Sequence, residues 1–69
     1  MKYFRVRTEE SIASPYGKFL HNRTEIMLAH SIEAIYEDCL DRFGEHLFSV
    51  DAVEIDESEI ERNTRIYVV

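Results

Sequence analysis

The chain has one cysteine, and that alone rules out an internal disulfide. Cys39 also has no histidine or second cysteine at zinc-binding spacing, so a structural metal is not expected. With only two glycines there is no glycine-rich phosphate loop and no nucleophile elbow. No apolar run approaches the about 18 residues of a membrane span, and the amino terminus lacks the apolar core of a signal peptide. An unpaired thiol in such a chain points to a reducing, cytoplasmic setting.

Basic residues are scarce where acids are dense. Residues 1–23 carry Lys2, Arg5, Arg7, Lys18 and Arg23 against Glu9 and Glu10. Residues 24–61 carry twelve carboxylates against Arg42 alone, and the net charge of the whole is -6. Affinity for nucleic acid comes mainly from Lys and Arg on phosphates, so direct nucleic-acid binding is not expected. A 45% apolar content is nonetheless that of a folded protein. Its 69 residues make one small domain whose own core is marginal, which favours tight packing or association with another chain.

The clearest local signal runs from Ser31 to Gly44. Ser31 suits an N-cap and Glu33 the first turn of a helix, where a carboxylate meets the positive end of the helix dipole. Ile32, Ile35, Tyr36, Cys39, Leu40 and Phe43 recur at three and four residues and predict one apolar stripe; Gly44 ends the helix. The other side carries Glu33, Glu37 and Asp41, stacked one turn apart at about 6 Å, where like charges repel by roughly 0.2–0.5 kcal/mol per pair.

Around that helix, Lys2 to Thr8 reads as a strand, with Phe4 and Val6 on one face and Tyr3, Arg5 and Arg7 on the other. Glu9 to Gly17 reads as a loop or wide hairpin connection, with turn chemistry at Pro15-Tyr16-Gly17. Lys18 to Asn22 is ambiguous. Thr24 to His30 predicts a second strand in which Ile26 and Leu28 alternate with Glu25, Met27 and Ala29. The same residues also fit one long helix from Thr24 to Phe43; the strand is preferred because Ser31 would otherwise compete with its own backbone in mid-helix. Phe48 to Ile55 predicts a third strand, in which a change of phase calls for a bulge near Ala52 or a start at Val50. Asp56 to Glu61 is a charged or short helical turn, and Arg65 to Val69 a last strand. The order ββαββ predicts an α+β two-layer sandwich, a mostly antiparallel sheet with one amphipathic helix on one face. The open face would carry Tyr3, Arg5, Arg7 and Tyr67.

The run from Glu25 to Ile35, followed by Phe43-Gly44 and by Val53-Glu54-Ile55, resembles the strand, Ser-capped helix and return strand of small ββαββ proteins, the archaeal large-subunit ribosomal LX family among them. That resemblance implies the fold and no function, because a ribosomal protein is basic and this chain is acidic.

His21, His30 and His46 lack the spacing of a metal site, and Cys39 on the apolar stripe reads as a small buried hydrophobe rather than a nucleophile. No catalytic pair stands out, so neither an enzyme nor a cofactor is expected. The reading is a non-enzymatic module that binds another protein, of the kind that phages and other mobile genomes use against host machinery. The acidic residues Glu33, Glu37, Asp41, Glu45, Asp56 and Glu57 are one candidate contact surface, solubilising at the least and a mimic of a phosphate backbone at the most. Tyr3, Arg5 and Tyr67 are the other, through the open sheet face. Exposed aromatics and the apolar end Ile66–Val69 also point to a homodimer pairing through the sheet.

Overall fold

The computed structural model describes all residues, Met1–Val69. Strand β1 (Lys2–Ser14) turns back through Pro15-Tyr16 into β2 (Gly17–Ala29), followed by helix α1 (Ile32–Phe43), β3 (Leu47–Ile55) and β4 (Ile66–Val68). The four strands form one sheet in the order β3-β1-β2-β4. β1 pairs antiparallel with β2 and β3, and β4 lies parallel to β2. This is an α+β fold with a single helix on a mostly antiparallel sheet.

The helix forms where its signals stand. Ser31 Oγ accepts the Ala34 N–H at 3.2 Å, and Gly44, at φ 57°, sends its N–H back to the Leu40 carbonyl. Residues 24–29 pair with β1 as a strand, which excludes the long-helix alternative. Ile35 and Cys39 press on Phe4, Val6, Met27 and Ala29, with Ile32, Phe43, Leu47, Val50, Ala52, Tyr67 and Val69 packed around them. Eight residues in all are buried, a thin core for 69.

Three sequence expectations need correction. Residues 9–14 are strand rather than loop, because Glu9 to Ser14 continue β1 and pair without a break against Gly17 to Asn22. The turn is tied by Ser14, whose Oγ donates to the Gly17 carbonyl at 2.8 Å and accepts the Tyr16 N–H at 3.2 Å, while Gly17 supplies a φ of 122°. The irregularity of β3 lies opposite Glu9 and Glu10, beside Phe48, and not near Ala52. From Ser49 to Ile55 the strand is regular, with Val50 and Ala52 toward the helix and Val53 and Ile55 away from it. The helix side is apolar at Val50 and Ala52 and the other side at Val53 and Ile55, so the apolar residues change face midway without any bulge between them.

The third correction concerns Tyr67. Its register partner is Met27, which in turn faces Phe4, so Tyr67 lies on the helix side of the sheet and not beside Tyr3. The face away from the helix is also partly covered. Residues 56–65 leave β3 at one edge and re-enter the sheet at the other, and a right-handed return between parallel β3 and β4 passes on the side opposite α1. Burial agrees: Ile55, on that side, is only 8% exposed, and Tyr3, Ile26 and Leu28 are half-buried. A 3-10 turn, Glu57–Glu59, opens this crossover with a capping box in which Asp56 accepts the Ser58 N–H and Glu59 accepts the Asp56 N–H.

Candidate interaction surface

β3 covers β1 only as far as Glu10, and α1 ends over Arg23, whose guanidinium lies 5.5 Å from the Phe43 ring centroid. Beyond these points β1 and β2 have only each other. Residues 11–20 therefore form a two-stranded arm along the long axis of a molecule 42 × 24 × 15 Å in extent. A ribbon with neither face against a core is marginal in water. It nevertheless carries Tyr16 (99% exposed), Phe19 (52%) and Leu20 (45%); its one charged side chain is Lys18, while Arg23 at its base is ion-paired with Glu10 at 3.8 Å. A shallow hollow lined by Glu10, Ser11, Ile12, Ala13 and His46 lies at its base. The sequence reading missed this arm; Phe19-Leu20 beside a Pro-Tyr-Gly turn was its one available signal.

The acidic residues of the first candidate surface lie where the sequence places them. Glu33, Glu37 and Asp41 are exposed on the outer side of α1, and Glu45, Asp56 and Glu57 are exposed in the turns. None of the six makes an ion pair. Beside the acidic row, Tyr36 (42%) and Leu40 (56%) are exposed rather than buried, because α1 turns Asp38 and Arg42 toward the sheet instead.

The second candidate surface is split by the fold. Tyr3 is half-buried beside Ile55, while Arg5 and Arg7 are exposed on the same face with no carboxylate within ion-pair distance. Tyr67 belongs instead to a polar knot on the helix side. There Arg42 donates from Nε to Asp38 at 2.8 Å and from Nη1 to Glu25 at 3.2 Å, its guanidinium lies 4.3 Å from the Tyr67 ring centroid, and the Tyr67 hydroxyl donates to Asp38 at 3.3 Å. Burial pulls the Arg42 guanidinium down, but Glu25 and Asp38 outweigh it and hold it further up than usual. The same knot borders Cys39, whose thiol is pushed up by burial, with Asp38 adding to the shift and Arg42 opposing it. A thiol held in its neutral form is a poor nucleophile. No three His, Cys, Asp or Glu side chains converge as metal ligands, and no helix is long and apolar enough to cross a membrane.

Comparison with family models, with curated proteins and with solved structures finds no match to this chain. The likeness to the LX family thus extends no further than the strand, helix and strand pattern that suggested it.

Proposed function

We propose that the protein is a non-enzymatic binding module that engages another protein chain through the β-ribbon arm. The observation that carries this reading is the exposure of Tyr16, Phe19 and Leu20 on a ribbon that neither a third strand nor helix α1 covers. Large apolar side chains on an otherwise charged surface mark contact sites, and a partner would supply the layer the arm lacks. A photo-crosslinking residue in place of Tyr16 tests it in cells that express the protein. The expected result is a crosslinked protein adduct that Phe19→Asp abolishes; no adduct, or one indifferent to Phe19→Asp, contradicts the reading.

A second reading has the acidic row presented to the basic groove of a nucleic-acid-binding protein. In its favour, Glu33, Glu37 and Asp41 stand one helical turn apart, exposed and unpaired, so their field is not cancelled locally. Competition between this protein and DNA for a DNA-binding host protein, lost on neutralising the three, is the result that would favour it over the arm.

A further inference from the structure

We propose that the outer edge of β3 and the flank of α1 above it form a groove that takes an extended basic segment of another protein as a further strand of the sheet. The groove is separate from the arm.

The backbone defines the occupant as a strand. β3 stands at the edge of the sheet and pairs with β1 alone, and none of the backbone hydrogen bonds made outside helices and strands involves Ser49 to Ile55. Along that regular stretch every second residue turns an unmet N–H and C=O outward. Another extended chain is what pairs such a row of groups. The usual guards of an edge are missing, since β3 has neither lysine nor proline and its irregularity lies outside this stretch, beside Phe48.

The helix supplies a wall. Asp38 and Arg42 point toward β2 and β4, where they meet Glu25 and Tyr67. At about 100° per residue the opposite flank of α1, bearing Glu33, Tyr36 and Leu40, faces the β3 edge. Glu33 and Glu54 accordingly line one hollow, with Ile32 and Phe4 between them. Tyr36 and Leu40 are exposed on this flank, and Val53 is exposed on the other face of β3. In a strand added beside β3, alternate side chains rise against Tyr36 and Leu40, and those between them lie beside Val53.

Charge selects the sequence of that strand. Glu33 on the wall, Asp51 on β3, and Glu45 and Asp56 just beyond its two ends make no ion pair. The nearest cations are Lys2, held by Glu54 at 3.6 Å, and Arg7, which pairs in register with Asp51 from one strand further in. A second copy set edge to edge would bring like charges into one seam, whereas lysine and arginine find a carboxylate along the groove. The occupant is therefore a segment of a different protein in which lysines or arginines are interspersed with apolar residues.

Fluorescence anisotropy with three pools of labelled eight-residue peptides tests it: one randomised among Val, Leu, Lys and Arg, one with Asp and Glu in place of the two cations, and the basic pool N-methylated throughout. The basic pool should bind, and the acidic and N-methylated pools should bind at least tenfold more weakly. Leu40→Ser, at an exposed position where circular dichroism should show the fold intact, should weaken the basic pool about tenfold, and Phe19→Ser on the arm should leave it unchanged. In the wild type the bound basic pool should slow amide hydrogen exchange within Ser49 to Ile55. No binding of the basic pool, equal binding of either other pool, indifference to Leu40→Ser, or slowed exchange on β2 in place of β3 overturns the proposal.

Discussion

Tyr67 lies against Arg42, with the guanidinium 4.3 Å from the ring centroid, and this contact fastens the last strand to the helix. β4 is three residues long and pairs only with β2, so its own ladder is too short to hold it. Arg42 supplies the rest, since it is bound in turn by Asp38 and Glu25 and stacks at 5.0 Å on Phe43. Arg42→Ala would leave two half-buried carboxylates without their cation and two rings without their cover. It should destabilise the fold by about 2–3 kcal/mol, a large loss for so small a domain. Urea denaturation monitored by circular dichroism reads the change, and Tyr67→Phe, which removes only the hydroxyl's bond to Asp38, should cost about 1 kcal/mol or less.

Thr8 offers a change of the opposite sign. It is buried at 1% exposure, opposite Val50, and its hydroxyl has no hydrogen-bond partner. An unmet buried hydroxyl costs about 1–3 kcal/mol, and valine has nearly the same shape. Thr8→Val should therefore raise the melting temperature, by about 4–8 °C for each kcal/mol recovered in a chain of this length. An unchanged or lower melting point would mean that the hydroxyl is satisfied.

Cys39 sets a limit on alkaline stability. Because its thiol is pushed up in the folded state, chiefly by burial, the folded protein holds the proton more tightly than the unfolded chain. That stabilisation is complete below the ordinary thiol value of about 8.5 and is lost as pH rises past it through the folded value. Stability should fall more steeply above that point in the wild type than in Cys39→Ala, measured by denaturant midpoints over the same pH range. In the native protein near neutral pH the thiol should react with Ellman's reagent only as fast as the chain opens.

The acidic row should show itself through salt. Replacing Glu37 with Gln and Asp41 with Asn removes repulsion at four-residue spacing, and the isolated fold should gain a few tenths of a kcal/mol. Association through that face should weaken in the same variant and, in the wild type, should weaken as salt shortens the screening length below about 10 Å. Affinity unaffected by both salt and the substitutions would remove the row from the contact.

How far the sequence shows the fold depends on what each segment packs against. The helix was legible because Ser31, Gly44 and the spacing of Ile35 and Cys39 all refer to one buried face. Strand β1 was legible as far as Thr8 because Phe4, Val6 and Thr8 alternate against the core. Past Thr8 no side chain of β1 reaches the core and Glu9 to Ile12 are all half-buried alike, so alternation has nothing to report, and Pro15-Tyr16-Gly17 reads as loop although it closes a regular hairpin. Tyr67 was misplaced for another reason: the register of a parallel strand is set by its neighbour, and Met27 cannot be identified as its partner from either segment alone. Of the candidate contact residues, the acidic ones were readable because solvated charge follows helix period. The arm was not, because it has no period of its own.

The most direct measurement is hydroxyl-radical footprinting of the protein, purified and alone or held in an extract of the cells that express it, which reads exposure side chain by side chain. Tyr16, Phe19 and Leu20 on the arm should be oxidised readily in the purified protein and protected together in the extract, with Val68, on the sheet away from the arm, unchanged. Labelling at Tyr16, Phe19 and Leu20 that is the same in both, or protection at Val68 in their place, would contradict the account.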